Sequence, residues 1–132
     1  MNYLLDTHVF IWSIIEKKKL SARVIQVLEN PDHNIFVSAV SFWEISLKFA
    51  LGKLQIDGLL PNELPSLALQ IGFQLLALNP KDTSSYHLLK SSWHKDPFDK
   101  MLIWQAIKQD FILVSKDENI TKYTNEGLRT LW

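Results

Sequence analysis

The chain contains no cysteine, which removes disulfides and thiolate metal sites and is compatible with a reducing cytoplasm. It also lacks an excess of either charge, since fourteen Lys and Arg stand against fourteen Asp and Glu. Neutralising phosphates supplies most nonspecific nucleic-acid affinity, so a chain balanced in this way cannot hold nucleic acid by bulk charge, and any such contact has to be a local patch. Long apolar runs are missing as well. The opening Met1-Asn-Tyr-Leu-Leu-Asp6 has no basic start and too short an apolar stretch for a secretory signal. The longest charge-free stretch, from Leu64 up to Lys81, is broken by Pro65, Gln70, Gly72, Gln74 and Asn79, so no membrane crossing is expected. The expectation is a soluble, cytoplasmic protein.

What is present suits one globular domain spanning residues 1–132, with 47% apolar and 21% charged residues and enough chain to bury a real core. No repeat, low-complexity segment or linker interrupts it. Short apolar runs at Asn2 to Leu5, Ile35 to Ser38, Phe73 to Leu78 and Phe111 to Ser115 read as strands, with a further one around Leu128 to Trp132. Helical spacing follows Asp6-Thr7 and Leu20-Ser21, runs from Ser41 to Leu51 until Gly52, and recurs from Pro61 to Ile71 and, more briefly, from Lys81 to Leu89. Glu16-Lys-Lys-Lys19 reads as a solvated turn. Asp96-Pro97 opens the longest helix, because an Asp oxygen accepts a free first-turn N–H and proline loses nothing at the first helical position; this helix should end near Asp110. Alternating strands and helices predict an α/β fold, a mostly parallel central sheet flanked by helices.

Four acids take equivalent places in that scheme. Asp6 and Asp117 follow strands, while Glu44 and Asp99 are read into the first turns of helices. Strand ends and following helix starts share one edge of a parallel sheet, so the four carboxylates can converge. Clustered carboxylates repel and resist desolvation unless a cation compensates, and oxygen-only ligands suit Mg2+ or Mn2+. A divalent ion there can activate water and offset charge on a phosphodiester in the transition state. Metal-dependent phosphodiester hydrolysis is the implied chemistry.

Plainer roles compete at each position. Ser41-Phe-Trp-Glu44 matches a capping box, Asp6 could cap a helix, and Asp117 could start a turn. Asp96 is assigned chiefly to capping, with a supporting place behind the metal ligands, and Thr7 and Ser41 could bond a carboxylate or a coordinated water as well as cap. Lys48, Lys95, Lys100 and Lys116 are candidates for guiding phosphates, although Lys48 one turn beyond Glu44 suits an ordinary ion pair. Trp93 is the stacking candidate among the tryptophans. His8, His33, His87 and His94 show no spacing of a shared zinc site.

Together, Asp6-Thr7-His8, Val37-Ser-Ala-Val-Ser41-Phe-Trp43-Glu44-Ile45, Gly52-Lys-Leu54, Asp96-Pro-Phe-Asp99-Lys-Met-Leu-Ile and Val114-Ser-Lys-Asp117 resemble the PIN-domain proteins, specifically the VapC-type toxins of bacterial type II toxin–antitoxin pairs. The resemblance runs from the first strand nearly to Trp132. It implies a PIN-like sheet between helices, an acidic set at Asp6, Glu44, Asp99 and Asp117, and a Mg2+- or Mn2+-dependent endoribonuclease acting on structured RNA. It also implies a cognate antitoxin whose C-terminal segment lies across the active-site groove, and a homodimer. Lys100 stands where many relatives carry arginine, and lysine lacks arginine's bidentate fork. Trp93-His94 also departs from the family pattern. Two rivals stand beside this reading. A phosphatase or phosphoacceptor fits poorly, because Asp6-Thr7-His8 has no second aspartate two residues on; a non-catalytic interaction module would make every acid a cap.

Overall fold

The computed structural model describes residues 1–94 and 96–132. Five strands, β1 (Asn2–Leu5), β2 (Asn34–Ser38), β3 (Gln74–Leu76), β4 (Ile112–Val114) and β5 (Arg129–Leu131), form one sheet in the order β3-β2-β1-β4-β5. Every neighbouring pair is parallel, with Tyr3 of β1 opposite Ile35 on one side and Ile112 on the other. Parallel neighbours need crossovers. These are supplied by α1 (Thr7–Ile15), α2 (Ala22–Glu29), α3 (Ala39–Ala50), α4 (Leu64–Gln70), α5 (Pro80–Ser85), α6 (Pro97–Gln109) and α7 (Glu118–Thr121).

The strands' two-residue alternation divides the core into two layers. Tyr3 and Leu5 join Ile35, Val37 and Val114 in a cluster with Val9 and Phe10 of α1, Val24 of α2 and Ala68 of α4. Leu4 and Leu113 point the other way, into a cluster with Leu102, Ile103 and Ala106 of α6, Ile120 of α7 and Tyr123. Both faces of the sheet are therefore covered. Leu5 is fully buried at the centre, so Leu5→Ala should cost about 3 kcal/mol in denaturant unfolding through lost transfer energy and a residual cavity.

The strands at Phe73 and Phe111 begin one residue later than their apolar runs suggest, for the same reason. Gly72 closes α4 at φ +94°, and the Phe73 N–H then bonds the Ala68 carbonyl at 2.9 Å. Asp110 closes α6 at φ 58°, and the Phe111 N–H bonds the Ala106 carbonyl at 2.9 Å. Each aromatic thus completes a helix end before the chain can enter the sheet. Two helices read as continuous also prove composite. Pro61–Glu63 is a 3-10 turn ahead of α4, and Tyr86–Leu88 another behind α5.

The start of α3 corrects the sequence reading. Ser38, not Ser41, is its cap, accepting from the Val40 N–H at 3.0 Å. Helix thus begins at Ala39 and Glu44 lies in the second turn, which removes the expected capping box and frees the Glu44 carboxylate from a backbone partner at the helix start.

Candidate metal centre

From β1 the chain moves outward to β2 and β3, then returns through α5 and α6 to β4 on the opposite side of β1. Connections leaving β1 and β4 diverge, and a crevice opens at their carboxyl ends. The Asp6 N–H bonds the Val114 carbonyl at 3.0 Å and ties the two strand ends together there. Asp6, Asp99, Asp117, His94, His8, Trp12 and Lys116 line a cavity of about 480 Å³ at this point.

Helix starts aim the acids. Asp6 caps α1 through Oδ1, which accepts from the Val9 N–H at 2.8 Å. Asp117 caps α7 through Oδ1, accepting from Asn119 at 2.8 Å, and turns Oδ2 toward His94. Asp96 caps α6, accepting from Phe98 at 2.8 Å and from Asp99 at 3.4 Å. Capping thus uses one oxygen of Asp6 and one of Asp117. Asp99 lies in the first turn of α6, with Oδ2 3.1 Å from His94 Nε2.

Burial and repulsion mark these carboxyls. Burial pushes Asp6 above its usual range, against the Ser115 hydroxyl and the Val9 amide, which pull it down. Asp99 is pushed up to about 7, first by burial and then by the charge of Asp96, with Glu44 and Asp6 adding to the rise and His94 opposing it. Glu44 is 2% exposed; its Oε1 has no hydrogen-bond partner among the described residues, while Oε2 is held by Lys48. A buried carboxylate oxygen without a donor is costly, and acids that repel one another across a cavity leave an unmet need for positive charge. The chemistry of these oxygens fits a hard divalent cation, and Glu44 is close enough for its charge to act on Asp99.

The remaining candidates divide. Thr7 and Ser41 are buried and bond each other, Thr7 Oγ1 donating to Ser41 Oγ at 3.0 Å, so neither caps a helix. Lys48 pairs with Glu44, as an (i, i+4) lysine would, and also lies in the field of Asp96 and Asp99. Lys116 lines the cavity with its ammonium 5.9 Å from the Trp132 ring centroid. Lys100 instead sits 5.3 Å from the Tyr86 ring centroid, and Tyr86 belongs to a separate apolar cavity with Trp43 and Phe98. Trp93 packs edge-on against Tyr123 outside the acid cavity's lining. Lys95 lies outside the described residues.

Sequence reasoning set His94 aside, yet the structure puts it in the middle of the cluster. Its Nε2 is 2.8 Å from Asp117 Oδ2 and 3.1 Å from Asp99 Oδ2, and one donor atom from each of the three residues falls within 4.8 Å of the others. The segment carrying it is strapped from below. Tyr123 donates its hydroxyl proton to the Ser91 carbonyl at 3.0 Å and accepts from the His94 N–H at 3.2 Å, while Glu126 accepts from the Lys90 and Ser91 N–H groups. Its place just ahead of the Asp96 cap was the available signal. Tyr123→Phe should cost about 1–2 kcal/mol by leaving both backbone groups without their partner, measurable as a lower denaturation midpoint at unchanged slope.

A crevice lined by carboxylates at the switch point of an all-parallel sheet defines an open α/β domain whose chemistry is gathered at strand ends. The PIN domain family model matches residues 3–126, and the chain belongs to that family. It is similar to Ribonuclease VapC22 of Mycobacterium tuberculosis (strain ATCC 25618 / H37Rv), with 27% identity over 129 residues covering 98% of this chain and 97% of the relative. Its fold is similar to that in the structure of VapBC2 from Rickettsia felis bound to a promoter DNA fragment (TM-score 0.66, 16% identity, 99% and 98% of the two chains). The structure of VapBC-1 from nontypeable Haemophilus influenzae is likewise similar (TM-score 0.68, 17% identity, 99% and 97% covered). Among the described residues no helix is long and apolar enough to cross a membrane.

Proposed function

We propose that this PIN domain is a VapC-type endoribonuclease toxin, dependent on Mg2+ or Mn2+, that hydrolyses phosphodiester bonds in structured RNA in the cytoplasm. The observation that carries the reading is the gathering of Asp6, Asp99 and Asp117 around one cavity, with Glu44 Oε1, which has no hydrogen-bond partner among the described residues, buried and its charge acting on Asp99. The ribonuclease name of the curated relative supports the choice of substrate class.

Asp6, Asp99 and Asp117 would hold the ion, with Glu44 completing the negative site. Bound there, a divalent cation supplies charge neutralisation for the scissile phosphate and activation of water. The chain's own residues do the rest. Helix capping fixes the Asp6 and Asp117 carboxyls so that each presents a set oxygen, and the Asp96 cap fixes the first turn that carries Asp99. Lys116 on the cavity wall and Lys48 beside Glu44 supply local positive charge for flanking phosphates in a chain with none to spare overall. Thr7 and Ser41 brace each other and tie the first turn of α1 to α3.

A cognate antitoxin is the proposed regulator, supported by the VapBC complexes that share the fold. A homodimer is supported by the exposed Trp43 and Leu47 of α3 and Leu51 at its C-cap, spaced four residues apart. Expression in cells followed by mapping of new RNA 5′ ends tests the activity. Defined new ends that vanish with Asp6→Ala are expected, and identical end patterns in the two strains would refute it.

A further inference from the structure

We propose that His94 is a positioning residue of this centre, which sets the spacing of Asp99 and Asp117 by donating a hydrogen bond from Nε2 and does not itself ligate the ion. This rests on the metal-site reading above and adds a role that the four acids do not cover.

The ring's orientation follows from its other nitrogen. The backbone N–H of Asp96 points at His94 Nδ1 across 3.2 Å. A backbone amide can only donate, so Nδ1 presents its lone pair and the proton of the neutral ring belongs to Nε2. That proton faces Asp117 Oδ2 at 2.8 Å and Asp99 Oδ2 at 3.1 Å. Ligation through Nε2 would need the opposite tautomer, which sets an Nδ1 proton against the Asp96 N–H. As a donor the ring instead bridges two acids from different elements, the first turn of α6 and the start of α7. Each carboxylate oxygen keeps a second lone pair for a cation, the usual arrangement of a hydrogen-bonded carboxylate ligand. Because Asp96 also caps α6, one residue fixes both the tautomer of the ring and the helix turn carrying Asp99. The main-chain bond from His94 to Tyr123 holds the ring's backbone in place from the other side.

The test uses Mn2+ alone, with the full chain, read by electron paramagnetic resonance and by calorimetric titration. His94→Phe keeps a flat ring without a donor, and His94→Gln restores an N–H. Expected are an about 10- to 100-fold loss of Mn2+ affinity in His94→Phe, recovery of most of it in His94→Gln, and no 14N hyperfine coupling from a directly bound imidazole in the wild type. The last measurement leaves His94 in place and so does not depend on either substitution folding. A directly coupled 14N that persists in His8→Phe, where His94 is the remaining imidazole among the described residues lining the cavity, would make His94 a ligand and overturn the proposal. Unchanged or tighter binding in His94→Phe, or equal losses in both variants, would overturn it too, while leaving the metal site standing. If the wild type bound no Mn2+ saturably, the metal site and this inference would fall together.

Discussion

Asp99→Asn should lower RNA cleavage in Mg2+ or Mn2+ by about a hundredfold or more while leaving the chain folded. Among the described residues the side chain contributes to no helix cap and accepts from no backbone N–H, so its loss breaks no backbone hydrogen bond there; Asp96 still accepts from Phe98. What disappears is one negative charge at the cavity and an oxygen 3.1 Å from His94 Nε2. The amide is nearly isosteric, and its oxygen cannot replace an anionic ligand for a hard cation. Since Asp99 is crowded by Asp96, Glu44 and Asp6, the neutral variant should also melt higher than the wild type at pH 8 in chelator. Wild-type cleavage rates from the purified variant, or a lower melting temperature in chelator, would contradict the assignment.

The wild-type fold without divalent ion should weaken as pH rises from about 4 to about 7. The Asp99 carboxyl is raised to about 7 in the folded chain from 3.8. A raised acid binds its proton more tightly folded than unfolded, so its stability contribution is full below the unfolded value and is lost as pH climbs through the folded one. The span corresponds to at most about 4 kcal/mol. Asp6 is raised too and acts in the same direction. A cation should reverse this. Mn2+ at a hundred times its dissociation constant should raise the melting temperature by about 10 °C at pH 8 and by much less at pH 5, where protons compete for the same oxygens. Asp99→Asn should flatten both dependences. An interaction module whose acids serve only as caps would show no Mn2+ effect at either pH, which separates that rival by one set of melts.

The layout of strands and helices could be read from the sequence because short apolar runs and stretches of helical spacing alternate along it. Asp6 and Asp117 could be placed at the sheet edge because Asp6 directly follows one apolar run and Asp117 comes just beyond the end of another. The start of α3 could not. Ser38 and Ser41 both precede helical spacing, and only the fold shows that Ser38 accepts the first amide while Ser41 turns inward to Thr7. Lys100 looked close to the acids along the chain, but its helix carries it toward Tyr86. His94 was hidden for a different reason. Its partner Asp117 is 23 residues away, and its placement depends on Tyr123 and Glu126, whose hydrogen bonds to the 90–94 segment no local pattern announces. Local chemistry sets caps and turns, whereas a cluster assembled by long-range straps appears only once the chain is folded.

Crystals grown without divalent ions and soaked in Mn2+, measured at the manganese absorption edge, give the most direct test. An anomalous peak within bonding distance of Asp6, Asp99 and Asp117 oxygens is expected, absent from Asp99→Asn crystals soaked in the same way. A cavity that stays empty in the wild type, or a peak only at unrelated surface acids, would contradict a metal-dependent centre at this sheet edge.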